Sequence, residues 1–257
     1  MEIREVICKT ALSVSRLPGL DYSLNPYRGC QHGCLYCYAP NILRVERKKW
    51  GCIVEVKTNI PNVLSKELKS KKPGVVALST VTDPYQPLEK KYKLSKYCLE
   101  QLLKVDFPVS IQTKSNLILR DIDLISSFSD REVLITIGTL DDNLRKKLEP
   151  CSSSVDDRLE VLKSFSDIGV KTTVFFGPIY PNVNLSDIQK YVEVFMENGT
   201  SEILFDKFNL KPGILENLSK TIPQYKSVIK NVDYYNKLYD EIKRVCSYKF
   251  VKATSAF

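Results

Sequence analysis

Apolar runs with the length of buried β-strands recur along the chain at fairly even intervals. They lie at 22–25, 75–80, 109–114, 132–138, 170–177 and 202–208. Runs of this kind, bounded by polar and turn residues, are typical of strands that are covered on both faces. The pattern therefore predicts about six core strands.

Between these runs the apolar residues recur at helical spacing. In 91–104, for example, Leu94 and Leu102 fall near one face of a helix. The other helical segments are 116–128, 156–168 and 185–198. Ser115 and Ser154 precede two of these segments and are predicted to cap them.

Strands that alternate with helices indicate parallel βαβ units and therefore an α/β fold. Six units are fewer than the eight of a closed barrel, so we predict an open, partial (β/α)6 TIM-like barrel with a core at about 20–210. An additional strand and helix are expected within 50–72. The segment 211–257 is predicted to add one or two helices outside the barrel, and the whole chain, 1–257, to form a single domain.

Composition and charge narrow the class of protein without identifying a function. The 257 residues are 43% hydrophobic and 26% charged, which excludes a disordered or collagen-like chain. The first residues lack the apolar core of a signal peptide and no run of 18 apolar residues occurs, so we expect a cytoplasmic protein without a membrane partner. The net charge of +8 permits an anionic partner such as a nucleic acid, although dispersed lysines are also typical of a solvated surface.

One group stands out among the eight cysteines. Cys30, Cys34 and Cys37 lie in the stretch YRGCQHGCLYC with the spacing C-x3-C-x2-C, whereas the others are scattered singly. Isolated cysteines in a reducing cytoplasm stay as thiols. Three clustered thiols indicate a metal centre and raise the question of what supplies a fourth ligand.

The residues leave four interpretations of this group open. The first is three buried cysteines without a metal. The second is a zinc site, which needs four ligands, but the only histidine, His32, lies between Cys30 and Cys34, where it could close a tetrahedron only with strain. The third is a ferredoxin-like cluster with a fourth cysteine. The candidates for that ligand are Cys8, Cys52, Cys98, Cys151 and Cys246. The fourth is an iron–sulfur cluster whose open iron binds a small molecule.

The cysteine spacing, with Tyr36 directly before the last cysteine, resembles the signature of the radical S-adenosylmethionine (radical SAM) superfamily. Further segments resemble the branch related to spore photoproduct lyase, in the same order, from about residue 20 to about residue 210. The segments are NPYRGCQHGCLYCYAP (25–40), STVTDPYQPLE (79–89), QTKSNLILRDIDLI (112–125) and TLDDNLRKKLEP (139–150). The resemblance implies a [4Fe–4S] cluster whose open iron binds S-adenosylmethionine (SAM), reductive cleavage of SAM to a 5′-deoxyadenosyl radical, and hydrogen abstraction from a substrate.

The resemblance and the polar ends of the predicted strands also assign candidate contacts to SAM. Barrel active sites are built at the carboxyl ends of strands, and Lys114, at such an end, matches the family's carboxylate-binding lysine. Thr82 lies in the segment that matches the family's contact to the amino group. The other cofactor candidates are Ser79 and Thr80 beside Thr82, Ser115 for the ribose, and Tyr36 and Tyr38 as a flat wall for adenine.

Several further residues are candidates for roles in the site or its support. Asp83 is expected to orient the SAM contacts or touch the substrate, with Glu89 as a second acidic candidate, and Arg158 is expected to form a surface ion pair on its helix. Spore photoproduct lyases carry a cysteine in the segment that matches STVTDP, which returns a hydrogen atom to the product radical, and Thr80 stands there in this chain. Photoproduct repair is therefore doubtful. The remaining candidates for a radical relay are Tyr85, Cys98 and Cys151.

The partners that the resemblance implies are SAM, a one-electron reductant such as ferredoxin or flavodoxin, and a substrate that the sequence does not identify. A nucleic acid is one candidate for that substrate. Two alternatives stay open beside a radical SAM enzyme of unknown substrate: a DNA photoproduct-type lyase, and a non-catalytic iron–sulfur or zinc module that binds nucleic acid. Stabilisation of the folded protein by SAM would distinguish an enzyme from such a module.

Overall fold

The computed structural model describes residues 1–249 and 251–255, and it shows an α/β protein with mostly parallel strands. The predicted fold class is therefore confirmed. The chain divides into two compact units, the first formed by Met1–Gly33 with Ala39–Val133 and the second by Cys34–Tyr38 with Leu134–Phe257. The single domain over 1–257 stays a prediction.

The first unit contains seven complete strands and five α-helices in its described part. In chain order these are β1 (Glu2–Val6), β2 (Leu12–Val14), β3 (Tyr22–Leu24), β4 (Tyr27–Arg28), α1 (Ala39–Leu43), β5 (Ile53–Lys57), α2 (Ile60–Glu67), β6 (Val76–Leu78), α3 (Glu89–Tyr92), α4 (Leu94–Leu103), β7 (Val109–Thr113) and α5 (Ile122–Ser126). Short 3-10 helices occur at Arg47–Lys49 and Asn116–Asp121.

Two sheets organise this unit. β3, β6 and β7 are parallel neighbours, with Leu24 opposite Leu78 and Leu78 opposite Ile111, and β2 pairs antiparallel with β3. β5 pairs parallel with β1 and antiparallel with β4 in a separate small sheet. Because β3, β6 and β7 are in register, the residues that follow them meet at one edge of the sheet.

The chain passes into the second unit within β8 (Arg131–Thr136). The other elements of this unit are α6 (Asp142–Leu148), α7 (Val155–Asp167), β9 (Lys171–Phe176), α8 (Ile188–Glu197), β10 (Glu202–Phe205), α9 (Ile214–Thr221), α10 (Tyr225–Val228), α11 (Val232–Tyr248) and β11 (Lys252–Ser255), with a 3-10 turn at Leu185–Asp187. The strand order is β8-β9-β10-β11, and β10 is parallel to both β9 and β11.

The predicted core strands are confirmed as β3 and β6 to β10, and the strand and helix expected within 50–72 are β5 and α2. The predicted helix over 91–104 is wrong in its continuity, because Lys93 adopts a left-handed φ of 54° that separates α3 from α4. Ser154 caps α7 as predicted, in a capping box with Asp157.

The prediction of one or two helices over 211–257 needs correction. The described part of this segment contains three helices and the parallel edge strand β11. Residues 250, 256 and 257 of the predicted extension lie outside the described residues. Across the described chain, no helix combines the length and the apolar character needed to cross a membrane.

Candidate active site

The three clustered cysteines lie in a tightly turned loop and form no disulfide. Cys30 and Cys34 are each 7% exposed and Cys37 is half-buried. The Gly33 N–H donates to the Cys30 carbonyl at 3.3 Å, and the Cys37 N–H donates to the Cys34 carbonyl at 3.1 Å. Cys30 belongs to the first unit, and Cys34 and Cys37 belong to the second.

Glycine is required at the start of this loop because the loop backbone packs directly on its neighbours. Gly29 has a φ of 97°, and a Cβ there would lie 2.4 Å from the Ile53 carbonyl oxygen. Gly33 has a φ of 61°, and a Cβ at Gly51 would lie 3.0 Å from the Gly33 Cα. Side chains at these points would push the loop away from β5 and the turn that precedes it.

The donor set fits an iron–sulfur cluster in its chemistry, because three thiols that form no disulfide are the ligands such clusters use. In the residues that the structure describes, no three His, Cys, Asp or Glu side chains are already grouped as ligands of a metal ion.

Asp83 is the polar centre of the first unit's strand edge. Its carboxylate accepts from the Thr113 hydroxyl at 2.6 Å, from the Lys114 N–H at 2.9 Å and from the Tyr85 N–H at 2.9 Å. His32 Nδ1 lies 3.3 Å from the same carboxylate. One buried side chain thereby ties the segment after β6 to the end of β7 and to the cysteine loop.

The pKa of Asp83 lies well below its ordinary value. Burial by itself would raise this pKa, but the neighbouring His32 imidazole, the hydrogen bond from the Thr113 hydroxyl and the charge of Lys114 outweigh burial. The carboxylate therefore stays ionised and keeps its donors in place. In this structure it organises the loop, and its expected roles, to orient the SAM contacts or touch the substrate, stay predictions.

We expect Asp83→Asn to lower the free energy of unfolding of the apo protein by about 2–4 kcal/mol at pH 7, because the buried donors lose a charged acceptor. A carboxylate whose folded pKa is depressed contributes stability above its unfolded pKa of about 3.9, and that contribution is lost as the pH falls toward the folded pKa. The difference between wild type and variant should therefore shrink below about pH 4.

Urea unfolding followed from pH 3 to pH 8 measures this difference. Asp240→Asn, the same change at an exposed residue of α11, serves as the control and should leave the unfolding curve nearly unchanged. An Asp83→Asn penalty that stays constant down to pH 3 would contradict the ionised role of Asp83.

A second set of hydrogen bonds holds the loop from the segment after β6. The Thr82 hydroxyl donates to the Gly29 carbonyl at 2.5 Å, and Gln86 Nε2 donates to Thr82 Oγ1 at 3.0 Å. The Gln31 N–H donates to Gln86 Oε1 at 2.9 Å. Thr82, predicted as a SAM contact, thus also anchors the cysteine loop, and Gln86 is a positioning residue that sequence reasoning missed.

Ser79 and Thr80 lie at the turn that leaves β6. Ser79 has a left-handed φ of 71°, and its buried hydroxyl makes no hydrogen bond with the described residues. The Thr80 N–H donates to Asn25 Oδ1 at 3.0 Å, so Asn25, after β3, shapes this turn. A strained turn with an unsatisfied buried hydroxyl is consistent with a polar ligand at this edge.

Lys114 and Ser115 follow β7 at the same edge. Lys114 is half-buried, and its backbone N–H is held by Asp83. The Ser115 hydroxyl accepts from the Leu117 N–H at 3.2 Å, which makes Ser115 the N-cap of the 3-10 helix Asn116–Asp121, as its predicted capping role requires. The predicted contacts Ser79, Thr80, Thr82, Lys114 and Ser115 therefore gather at the ends of two neighbouring strands.

Within the second unit, Tyr36 points into a buried polar group. Its hydroxyl donates to Glu149 Oε1, which also accepts from the Tyr180 hydroxyl at 3.2 Å. Burial and then the Glu149 carboxylate raise the pKa of both tyrosines well above the ordinary value, so both stay protonated and donate. Tyr38, the second adenine candidate, is 40% exposed.

Arg158 balances the buried charge of Glu149. Both side chains are only 1% exposed, and Arg158 Nη2 donates to Glu149 Oε2. Burial by itself would lower the pKa of Arg158, but the Glu149 carboxylate raises it above its ordinary value. The predicted pairing of Arg158 with a carboxylate is confirmed, and its predicted surface position is wrong, because the helix α7 turns this face toward the core.

The remaining acidic and radical-relay candidates lie in different parts of the two units. Glu89 is fully buried and its carboxylate is bound by the Tyr27 hydroxyl and by Arg120, so it stabilises the first unit's core. Tyr85 and Cys98 are fully buried in the same unit, and burial raises the pKa of each well above its ordinary value. Cys151 is exposed in the second unit. Their relay role stays a prediction.

Comparison with known proteins identifies the relatives of this chain. The family model described as "Radical SAM superfamily" matches residues 24–195. An uncharacterized protein of Methanocaldococcus jannaschii is 35% identical over 246 residues, which cover 94% of this chain and 92% of that protein. A protein of Pseudomonas phage M6 named radical SAM Nalpha-GlyT isomerase is 24% identical over 203 residues, 76% of this chain and 42% of that protein.

Solved structures share the fold. A spore photoproduct lyase variant with bound AdoMet and dinucleoside spore photoproduct superposes with a TM-score of 0.73 at 16% identity, over 99% of this chain and 82% of that chain. At this identity the likeness concerns the fold. The predicted open barrel is consistent with it.

Proposed function

The chain belongs to the radical SAM superfamily. From this premise we propose that it binds one [4Fe–4S] cluster through Cys30, Cys34 and Cys37 and that it cleaves SAM reductively with this cluster. When bound there, a reduced cluster would supply one electron for the reductive cleavage of SAM to methionine and a 5′-deoxyadenosyl radical that would abstract hydrogen from a substrate. The observation that carries the proposal is the loop of three clustered thiols that form no disulfide, anchored in the first unit to the polar edge after β6 and β7.

The chain's own residues bind and orient SAM in this proposal. Lys114 supplies a positive charge for the methionyl carboxylate. Ser79, with its unsatisfied hydroxyl, and Thr82 accept from the amino group, and Ser115 lies beside them for the ribose. Tyr36 and Tyr38 provide the apolar wall for adenine, and Asp83 fixes the backbone from which Lys114 projects.

The substrate is proposed only as a class. A nucleic acid is supported by the net charge of +8 and by the dinucleoside that the similar spore photoproduct lyase binds. Photoproduct repair itself is not proposed, because Thr80 cannot return a hydrogen atom as a thiol does. An external donor such as ferredoxin or flavodoxin supplies the electron, and we propose a reducing compartment such as the cytoplasm, since none of the eight cysteines forms a disulfide.

Anaerobic SAM cleavage tests the proposal. We expect protein reconstituted with iron and sulfide, reduced with dithionite and incubated with SAM, to release 5′-deoxyadenosine, whereas cluster-free protein releases none. We also expect SAM to raise the melting temperature of the reconstituted protein. Purified protein that holds zinc and takes up no iron would overturn the proposal. A cluster with neither SAM cleavage nor stabilisation by SAM would favour the non-catalytic module.

A further inference from the structure

The Glu149 carboxylate is buried and has donors at both of its oxygens. Oε1 accepts from Tyr36 and Tyr180, and Oε2 accepts from Arg158. The Ser152 hydroxyl lies 3.1 Å from Oε2 and 2.9 Å from the Glu149 carbonyl oxygen, so its one proton is shared between them. Three donors from separate parts of the second unit therefore converge on this carboxylate.

The Arg158 guanidinium is held as firmly as its partner. Nη1 donates to the Thr136 carbonyl at the end of β8 at 2.7 Å, and Nε donates to the Ser153 carbonyl at 3.1 Å. These bonds attach the ion pair to the backbone of the second unit at both sides. The Glu149 carboxylate that accepts from Tyr36 is therefore connected, through Arg158, to the backbone at the end of β8 and before α7.

Tyr36 in turn connects this framework to the segment between Cys34 and Cys37. Besides its hydrogen bond to Glu149, its ring packs edge-on against Tyr180, with centroids 6.0 Å apart, and against Phe208, at 5.6 Å. The Leu35 N–H donates to the Leu148 carbonyl at 2.9 Å. Two consecutive residues of the segment are thus tethered to two consecutive residues at the end of α6.

Stability alone does not account for this arrangement. Replacing a buried ion pair by apolar residues of similar volume is often neutral or stabilising, because the desolvation cost of two charges is then avoided. An apolar group would fill the same space but could not set the direction of the Tyr36 hydroxyl. The property that the charged group adds is a defined orientation of the cysteine segment.

We propose that Glu149 is a positioning residue for the metal centre: through Tyr36 it holds the Cys34–Cys37 segment in one conformation before iron binds. Ordering a backbone residue costs conformational entropy. If the segment is already ordered before iron binds, this entropy cost does not reduce the free energy of cluster binding. Iron is therefore held more tightly. This inference rests on the proposed cluster at Cys34 and Cys37, and it assigns a role to Glu149 and Tyr36 that SAM contacts do not explain.

A pair of matched variants tests the inference. Tyr36→Phe and Tyr180→Phe each remove one hydroxyl from the same carboxylate oxygen, but only Tyr36 lies in the cysteine segment. We expect Tyr36→Phe to speed hydrogen exchange of the backbone amides of 35–37 in the apo protein by about tenfold, with little change elsewhere. Tyr180→Phe should leave the exchange of these amides within about twofold of wild type.

The reconstituted proteins supply a second readout. We expect a ferrous-iron chelator to remove iron about tenfold faster from Tyr36→Phe than from wild type or Tyr180→Phe, and the electron paramagnetic resonance spectrum of the reduced cluster to broaden only in Tyr36→Phe. Equal effects of the two variants, or none on the 35–37 amides, would overturn the inference. Because exchange is measured without a cluster, this result is independent of whether the protein cleaves SAM.

Discussion

Cys34→Ala is expected to abolish both iron binding and 5′-deoxyadenosine formation. Two remaining thiolates cannot hold a cluster whose fourth iron must stay open for SAM, since each missing thiolate exposes another iron to solvent. The fold of the apo protein should survive, because alanine occupies less space than cysteine and leaves no unpaired charge. Iron per chain, the absorbance near 400 nm and product formation after anaerobic reconstitution measure the effect.

Alanine variants of the other cysteines serve as controls and also test the ferredoxin-like alternative. The same change at the exposed Cys52 and Cys151, and at Cys8, Cys98 and Cys246, should leave iron content and SAM cleavage at the wild-type level. If one of these variants loses its iron as Cys34→Ala does, the site has four protein ligands and no open iron. Four irons retained by Cys34→Ala would exclude the proposed ligand set.

Arg158→Met is expected to lower the free energy of unfolding by about 3–5 kcal/mol, the largest stability effect that we predict. The variant leaves the Glu149 carboxylate buried without its cation, while the side-chain volume at α7 is nearly kept. Urea denaturation of the apo protein measures the loss. The double variant Glu149→Leu with Arg158→Met should be less destabilised than the sum of the two single variants, because it leaves neither charge alone.

Arg244→Met is the matched control for this experiment. Arg244 pairs with Glu241 on α11, but its side chain is 68% exposed, so the same substitution there should cost at most about 1 kcal/mol. A loss at Arg158 no greater than that at Arg244 would show that the buried pair is not held as the structure describes. Iron uptake measured on the folded fraction of Arg158→Met then shows whether the Cys34–Cys37 segment is still positioned to bind iron, separately from the loss of stability.

Much of the fold was predictable because its determinants are local. The strands β6 to β10 follow apolar runs, and the cap of α7 by Ser154 requires only a residue three positions away. The break between α3 and α4 was missed because Lys93 is an ordinary helix residue by pattern and takes a left-handed conformation only in this structure. β11 was missed because KATS has no apolar run, and its pairing with β10 gives it a strand conformation.

The sequence by itself determined the type and order of most elements, the family, and the loop with three thiols. Hydrophobic spacing and a short motif depend only on residues that are close together along the chain. Only the tertiary structure decided which polar side chains hold that loop. Tyr36 and Glu149 are 113 positions apart, and Thr82 and Gly29 are 53 apart. No periodic pattern in the sequence relates positions so far apart. The residue type also does not show whether an acceptor will be buried, because only folding removes the water that competes for its hydrogen bonds.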